Sequence, residues 1–160
     1  MPAGATPAYR GYRLQALYTL WRVLAAEDPR AEFQPEGRED LAFFDGPDDV
    51  PAELVQVKAY ADPLTLSVFD PSKPHSYFHR VATQLATDPD CVASIASFGE
   101  VGQEMQGAWG DDPDLRAAVV AKLRDHGVQN ADAVVDAIRL EDVSEAELRD
   151  EVDKRLRDMV

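Results

Sequence analysis

The sequence predicts a single domain of the α/β (α+β) class, in which four strands form a mixed sheet flanked by helices. Apolar residues at helical spacing open the chain, from Leu14 to Leu24. Three short strand-like segments follow before residue 60, and then come a helix and a fourth strand. The resulting order is α-β-β-β-α-β, followed by additional C-terminal helices, and it favours a sheet buried between helical layers.

The boundaries of these elements come from capping and breaking residues. Thr6 and Pro7 suit the N-cap and first position of the opening helix, which we expect to end near Ala26, before Asp28-Pro29. Polar, proline-rich or glycine-rich segments separate the later elements. The predicted strands cover about residues 31–34, 40–44, 54–60 and 91–98, and the helix between the last two covers about 75–87.

The C-terminal part, about residues 112–160, is predicted to be helical throughout, behind a core of about residues 8–100. Asp112 caps a helix ending at Gly127, Asn130 caps a second helix that carries Ile138, and Ser144–Glu147 matches a capping box. The last helix reaches the end of the sequence without a stop signal. We therefore expect the natural chain to continue and residues 1–160 to be its N-terminal domain.

The net charge of −14 argues against unaided binding to nucleic acid. The first 80 residues carry 8 basic and 12 acidic residues, a net of −4, whereas the second 80 carry 8 and 18, a net of −10. Most of the acidity is thus in the C-terminal half. A domain this acidic is expected to need a metal ion, oligomerisation or a basic partner domain in order to hold DNA.

Composition also indicates the compartment. There is neither an apolar run of about 18 residues, as a membrane span needs, nor a basic and apolar leader of the signal-peptide type. Cys91 is the single cysteine, so an internal disulfide and a cysteine-based zinc site are excluded. Its apolar surroundings favour a buried, inert thiol. We expect a cytoplasmic protein without membrane contact.

The third predicted strand carries the strongest functional signal. Gln56 and Lys58 share one face of this strand, and Asp40 stands at the head of the preceding one. Phosphodiester hydrolysis requires a metal, a group that positions water and a cation for the developing charge. Asp40 would bind Mg²⁺ (or Mn²⁺), and Gln56 would add an amide oxygen or position a water. Lys58 would stabilise the transition state or orient the attacking water. Glu36 is a candidate second carboxylate.

Simpler interpretations exist for each of these residues. Asp40 could be a charge at a strand edge, and Gln56 with Lys58 could line a solvated face. Glu39 and Glu53 are weaker candidates for the metal site. His75 and His79 lie one helical turn apart, but no third ligand accompanies them, which favours a solvated helix face.

The pattern resembles the PD-(D/E)xK restriction-endonuclease-like nucleases, in the variant with Gln in place of the second acid. More narrowly, it is similar to the N-terminal double-stranded DNA endonuclease effector domains of bacterial antiphage proteins. The residues that carry this resemblance cover roughly 8–160. They are Gly11–Gln15, Glu36 with Glu39-Asp40, Val55–Lys58, and Ser97-Phe98-Gly99 with Gly102 and Glu104.

The resemblance implies Asp40 and Gln56 at the metal, Lys58 as the catalytic lysine, Gln15 reaching toward the same site, and Glu36 as an accessory acid. It also implies double-stranded DNA as substrate and a fused or associated sensor, either a cyclic-oligonucleotide receptor or a STAND-type ATPase. Such a sensor would activate the nuclease by homo-oligomerisation. Two alternatives stay open: an inactive nuclease fold that binds a partner through its acidic helical tail, and a nuclease acting on RNA or single strands.

Overall fold

A computed structural model describes residues 5–27, 31–35, 40–44, 52–60 and 62–160. Within them, five strands form one mixed sheet in the order of the chain. The first three strands pair antiparallel, while the third pairs parallel with the fourth and the fourth parallel with the fifth. The strands are β1 (Glu32–Pro35), β2 (Leu41–Phe44), β3 (Glu53–Lys58), β4 (Val92–Ser97) and β5 (Ile138–Asp142).

Helices cover both faces of the sheet. The helix α1 (Ala5–Ala25) begins one residue before the predicted cap Thr6. The others are α2 (Tyr77–Thr87), α3 (Gln103–Ala108), α4 (Pro113–Asp125), α5 (Ala131–Ala137) and α6 (Glu145–Asp158), with a 3-10 turn at Leu66–Phe69. None of the helices in the described ranges is both long enough and apolar enough to cross a membrane.

The prediction of four strands and a wholly helical tail was wrong at β5. Ile138 was assigned to the helix after Asn130, but that helix ends at Ala137 and Ile138 opens a strand beside β4. Ile138 and Leu140 point into the core on one face, and Arg139 alternates with them. The spacing of apolar residues around Ile138 is compatible with a helix, but pairing and burial against β4 favour a strand.

The two largest of three apolar clusters in the described residues pack on opposite faces of the sheet. The larger core lies between the sheet and α2–α5 and includes Ile95 of β4. The smaller core joins the opposite face to α1 and α6, and it is built from Leu14, Tyr18, Leu41, Val55, Ala96, Phe98 and Leu148. Because side chains alternate along β3, Val55 belongs to the α1 face, whereas Gln56 belongs to the face covered by α2.

A buried polar network fixes α1 to the sheet. Arg22 donates from Nη1 to Glu53 Oε1 at 3.1 Å and from Nη2 to Oε2, and Ser94 Oγ donates to Oε1 at 2.7 Å. Tyr18 donates to Glu141 Oε2 on β5 at 2.8 Å. Burial alone would raise the pKa of Glu53, but the hydrogen bonds and charge of Arg22 outweigh it and lower that pKa. Glu53 is thus held as a carboxylate by α1.

Cys91 is expected to react slowly in the folded protein. It is buried, and burial, with smaller contributions from Asp88 and Glu53, raises its pKa to about 11 from an ordinary value of 9.0. The thiolate is the reactive form, so its fraction at pH 8 should fall roughly 100-fold. Labelling with an aromatic disulfide reagent should be at least that much slower in buffer than in urea. Native and unfolded rates within tenfold of each other would contradict this placement.

Candidate functional site

The side chain of Asp40 links β2 to β3 at the end of the sheet where β3 finishes. Asp40 Oδ2 accepts a hydrogen bond from the backbone N–H of Val57 at 2.9 Å. The main-chain carbonyl of Asp40 accepts a bond from Gln15 Nε2 at 3.1 Å, which ties α1 to the same point. One oxygen of the Asp40 carboxylate is thereby engaged by the backbone of β3.

These residues line a cleft of about 500 Å³ between α1 and the end of β3. Tyr12 of α1 and Tyr60, just after β3, stand beside the cleft with 66% and 45% of their surfaces exposed. Its full lining is Gly11, Tyr12, Gln15, Asp40, Val57, Lys58, Ala59 and Tyr60. A carboxylate, an amide and the stem of a lysine therefore share one open cleft.

Gln56 lies in a neighbouring cavity on the opposite face of the sheet. It is 7% exposed and lines a space of about 380 Å³ together with Lys58 and Phe69. The Lys58 ammonium is 5.4 Å from the centre of the Phe69 ring, a cation–π distance. Lys58 is therefore common to both spaces, with its charged end on the side of Gln56.

The carboxyl end of β3 is held in place by the chain that follows β4. Phe98 N–H donates to the Lys58 carbonyl at 2.8 Å. A Cβ at Gly99 would lie 2.7 Å from the Tyr60 carbonyl oxygen, so only glycine allows this approach. The Ser97-Phe98-Gly99 segment thus sets the position of Lys58 and Tyr60.

The structure brings some predicted site residues together and separates others. Asp40, Gln15 and Lys58 meet at one cleft, while Gln56 shares only Lys58 with them. Glu36 lies outside the described residues, as does the weaker candidate Glu39. Glu53 is at the opposite end of β3, where it pairs with Arg22.

Among the described residues that line this cleft, Asp40 is the one carboxylate that a metal could meet. The described part of the chain contains no group of three or more His, Cys, Asp or Glu suited to holding an ion. Mg²⁺ commonly binds proteins through one or two carboxylates and keeps waters or substrate phosphate oxygens as its other ligands. Asp40 fits such a loosely held ion. It does not form a closed cage.

The two histidines do not form a metal pair. His79 Nδ1 lies 2.7 Å from Ser76 Oγ, and its Nε2 lies 3.1 Å from the His126 carbonyl oxygen. Both ring nitrogens are therefore engaged within the fold. His75, by contrast, lines the Gln56 cavity.

Sequence reasoning missed the basic residues around Gln56. Lys73 comes from the loop before α2 and Arg80 from the first turn of that helix, and both line the Gln56 cavity. Residues 70–74 belong to the polar, proline-rich segments that separate the predicted elements, and no functional prediction was attached to them. A usable signal was present, because Lys73 and Arg80 are two of the 8 basic residues in the first half of an acidic chain.

Comparisons with known proteins return no match: no family model, no curated protein and no solved structure is significantly similar to this chain.

Proposed function

We propose that this chain is a metal-dependent endonuclease domain that hydrolyses phosphodiester bonds of double-stranded DNA, acting as an effector in bacterial antiphage defence. The observation that carries the proposal is the position of Lys58. It lines both the cleft of Asp40 and Gln15 and the cavity of Gln56, at the end of a central strand. The α-β-β-β-α-β order of the first four strands supports the same interpretation.

Each residue has a role set by its chemistry. Asp40 would hold a divalent cation, which when bound supplies Lewis-acid activation of the phosphate and a more acidic water. Gln15 keeps the Asp40 backbone in place through its hydrogen bond. Lys58 would place its ammonium against the negative charge that develops on the phosphate oxygens, and its flexible stem allows it to turn toward the Asp40 cleft. Gln56 would orient a water or a phosphate oxygen.

The charge of −14 makes a single copy a weak binder of DNA. Several copies held together by a sensor module would each contribute a weak contact, and the combined affinity would exceed that of any one copy. We therefore propose activation through homo-oligomerisation, with a fused or associated sensor as the partner. A chain that is forced to dimerise should cleave DNA faster at equal protein concentration.

Replacing Asp40 with asparagine is expected to abolish cleavage. With supercoiled plasmid and Mg²⁺ or Mn²⁺ at low salt, we expect at least a 100-fold loss, because the neutral amide is a poor ligand for a hard cation. Asn can still accept the Val57 N–H bond, so the fold should survive; circular dichroism checks this. Asp150→Asn on α6 is the matched control and should cleave like the wild type.

Two results would refute the nuclease proposal. One is cleavage that Asp40→Asn leaves unchanged. The other is no metal-dependent cleavage of duplex DNA by the wild type, even after forced dimerisation. In the second case a partner-binding role for the acidic helical part would be favoured, since residues 81–160 carry a net charge of −10. Parallel reactions with RNA and single-stranded DNA identify the preferred substrate.

A further inference from the structure

We propose that two copies of this chain pair through the outer face of α1, helix against helix. Five residues at spacings of three and four form this face, which we call the outer stripe: Tyr9, Tyr12, Ala16, Leu20 and Val23. All five are exposed, whereas Leu14 and Tyr18 on the other side of the same helix are fully buried. Such a helix is apolar on both sides, which is the composition of a helix that is covered on both sides.

The order of residues in the outer stripe fits a second copy of the same stripe. Val23 lies as many residues after Ala16 as Tyr9 lies before it, and the same holds for Leu20 and Tyr12. A two-fold axis at Ala16 therefore sets each aromatic ring on an aliphatic side chain of an antiparallel partner. The small Ala16 side chains would meet where the helices cross and allow a close approach. The stripe is thus complementary to itself.

The distribution of charge is compatible with this pairing. The outer stripe contains no charged residue, although the chain has a net charge of −14. Arg13 and Arg22 of α1 are paired within the chain, with Glu145 and Glu53. The exposed Glu27 would lie beside the first turn of the partner's α1, which holds no acidic residue and whose backbone N–H groups favour a carboxylate. Two acidic copies can therefore approach each other at this face.

The size of the outer stripe predicts a weak dimer. From Tyr9 to Val23 the helix advances about 21 Å, at about 1.5 Å per residue, and its width with side chains is about 10 Å. A groove of about 470 Å³ beside the stripe, walled by Pro35 of β1, adds some contact. The area still falls well below the roughly 800 Å² per partner of a stable specific interface. Pairing thus requires a high local concentration, as in the clustering proposed above.

Pairing at the outer stripe would bring two Asp40 clefts together, and this consequence rests on the proposed nuclease function. Tyr12 and Gln15 line both the groove beside the stripe and the Asp40 cleft. Because Tyr12 lies four residues from the two-fold axis, its two copies would be about 12 Å apart along the helices, at about 1.5 Å per residue. Two neighbouring clefts would then meet the two strands of one duplex.

Oxidative cross-linking of single-cysteine variants tests the register. Ala16→Cys should form an intermolecular disulfide at least about tenfold faster than Asp150→Cys on α6, because residue 16 meets its own copy at the axis. Tyr9→Cys should not cross-link to itself, since its two copies would lie about 21 Å apart along the helices. The wild type, which carries only the buried Cys91, is the blank.

Sedimentation velocity tests the affinity, over about 10 μM to about 1 mM protein without metal or DNA. Leu20→Glu should weaken dimerisation at least about tenfold, because it places a carboxylate in each apolar contact. Leu156→Glu on α6 is the matched control: Leu156 is 43% exposed and Leu20 41%, and both changes add one negative charge. The control should change the dissociation constant by less than about twofold.

Three results would overturn the inference: a wild type that is monomeric at about 1 mM, equal effects of Leu20→Glu and Leu156→Glu, or Ala16→Cys that cross-links no faster than Asp150→Cys. The stripe would then serve another occupant, such as unpaired bases stacked on Tyr9 and Tyr12, which a labelled single-stranded oligonucleotide would reveal. A dimer that does not cleave DNA keeps the interface and refutes the nuclease. A chain that cleaves DNA but stays monomeric does the reverse.

Discussion

Replacing Arg22 with methionine is expected to lower the free energy of unfolding by about 3 kcal/mol or more. The change leaves Glu53 as a largely buried carboxylate without its cation, and breaking such a pair typically costs about 3–5 kcal/mol. Urea unfolding followed by circular dichroism measures the loss. The double variant Arg22→Met with Glu53→Gln removes the stranded charge and should recover a large part of the stability.

Arg13 provides the matched control for this prediction. It pairs with Glu145 across α1 and α6, but both side chains are about a third exposed. Arg13→Met should therefore cost about 1 kcal/mol or less. Equal costs for the two arginines would contradict the buried network.

The ion pair between Arg22 and Glu53 also makes the stability depend on pH. Because the folded-state pKa of Glu53 is lowered, the stabilisation by Arg22 is present above the ordinary glutamate pKa of about 4.3. It is lost as pH falls through the lower folded value.

Replacing Lys58 with methionine is expected to reduce DNA cleavage about 10²–10³-fold, on the proposed nuclease function. The lost ammonium would otherwise offset charge on the phosphate in the transition state, and removing one such group commonly costs that much. Methionine retains most of the apolar stem beside Phe69, so the fold should be kept. Single-turnover cleavage of a labelled duplex under saturating Mg²⁺ measures the effect.

Lys58→Arg and Lys154→Met complete the test of Lys58. Arginine keeps the charge but replaces a compact ammonium with a planar group, so it should restore cleavage only in part. Lys154→Met should leave cleavage unchanged. A Lys58→Met enzyme with wild-type cleavage would exclude Lys58 from the chemistry.

Most of the sheet was predictable because its strands are short apolar runs between strong breakers. β2, β3 and β4 lie within two residues of their predicted bounds. β5 was not predictable from local pattern, since the segment 130–138 carries apolar residues at helical spacing. Its strand pairing depends on parallel partners in β4 that lie 45 residues earlier in the chain. The 3-10 turn and α3 were missed because each is a few residues long.

The candidate site was only partly predictable, for a geometric reason. Alternation along β3 correctly places Gln56 and Lys58 on the same face of the sheet. Asp40 lies just before β2, outside any strand, so alternation does not predict the direction of its side chain. The hydrogen bond from Val57 N–H settles that direction. The contribution of Lys73 and Arg80 depends on how the loop before α2 folds back over the sheet, which no local spacing records.

The outer strands of the sheet limit how copies of this chain can join. β1 has four residues, carries Glu32 and ends in Pro35. At the opposite border, β5 has three charged residues, Arg139, Glu141 and Asp142, and two apolar ones. Short, charged or proline-ended borders resist the addition of a strand from a neighbouring molecule. Addition of a strand from another molecule at either border of the described sheet is therefore disfavoured.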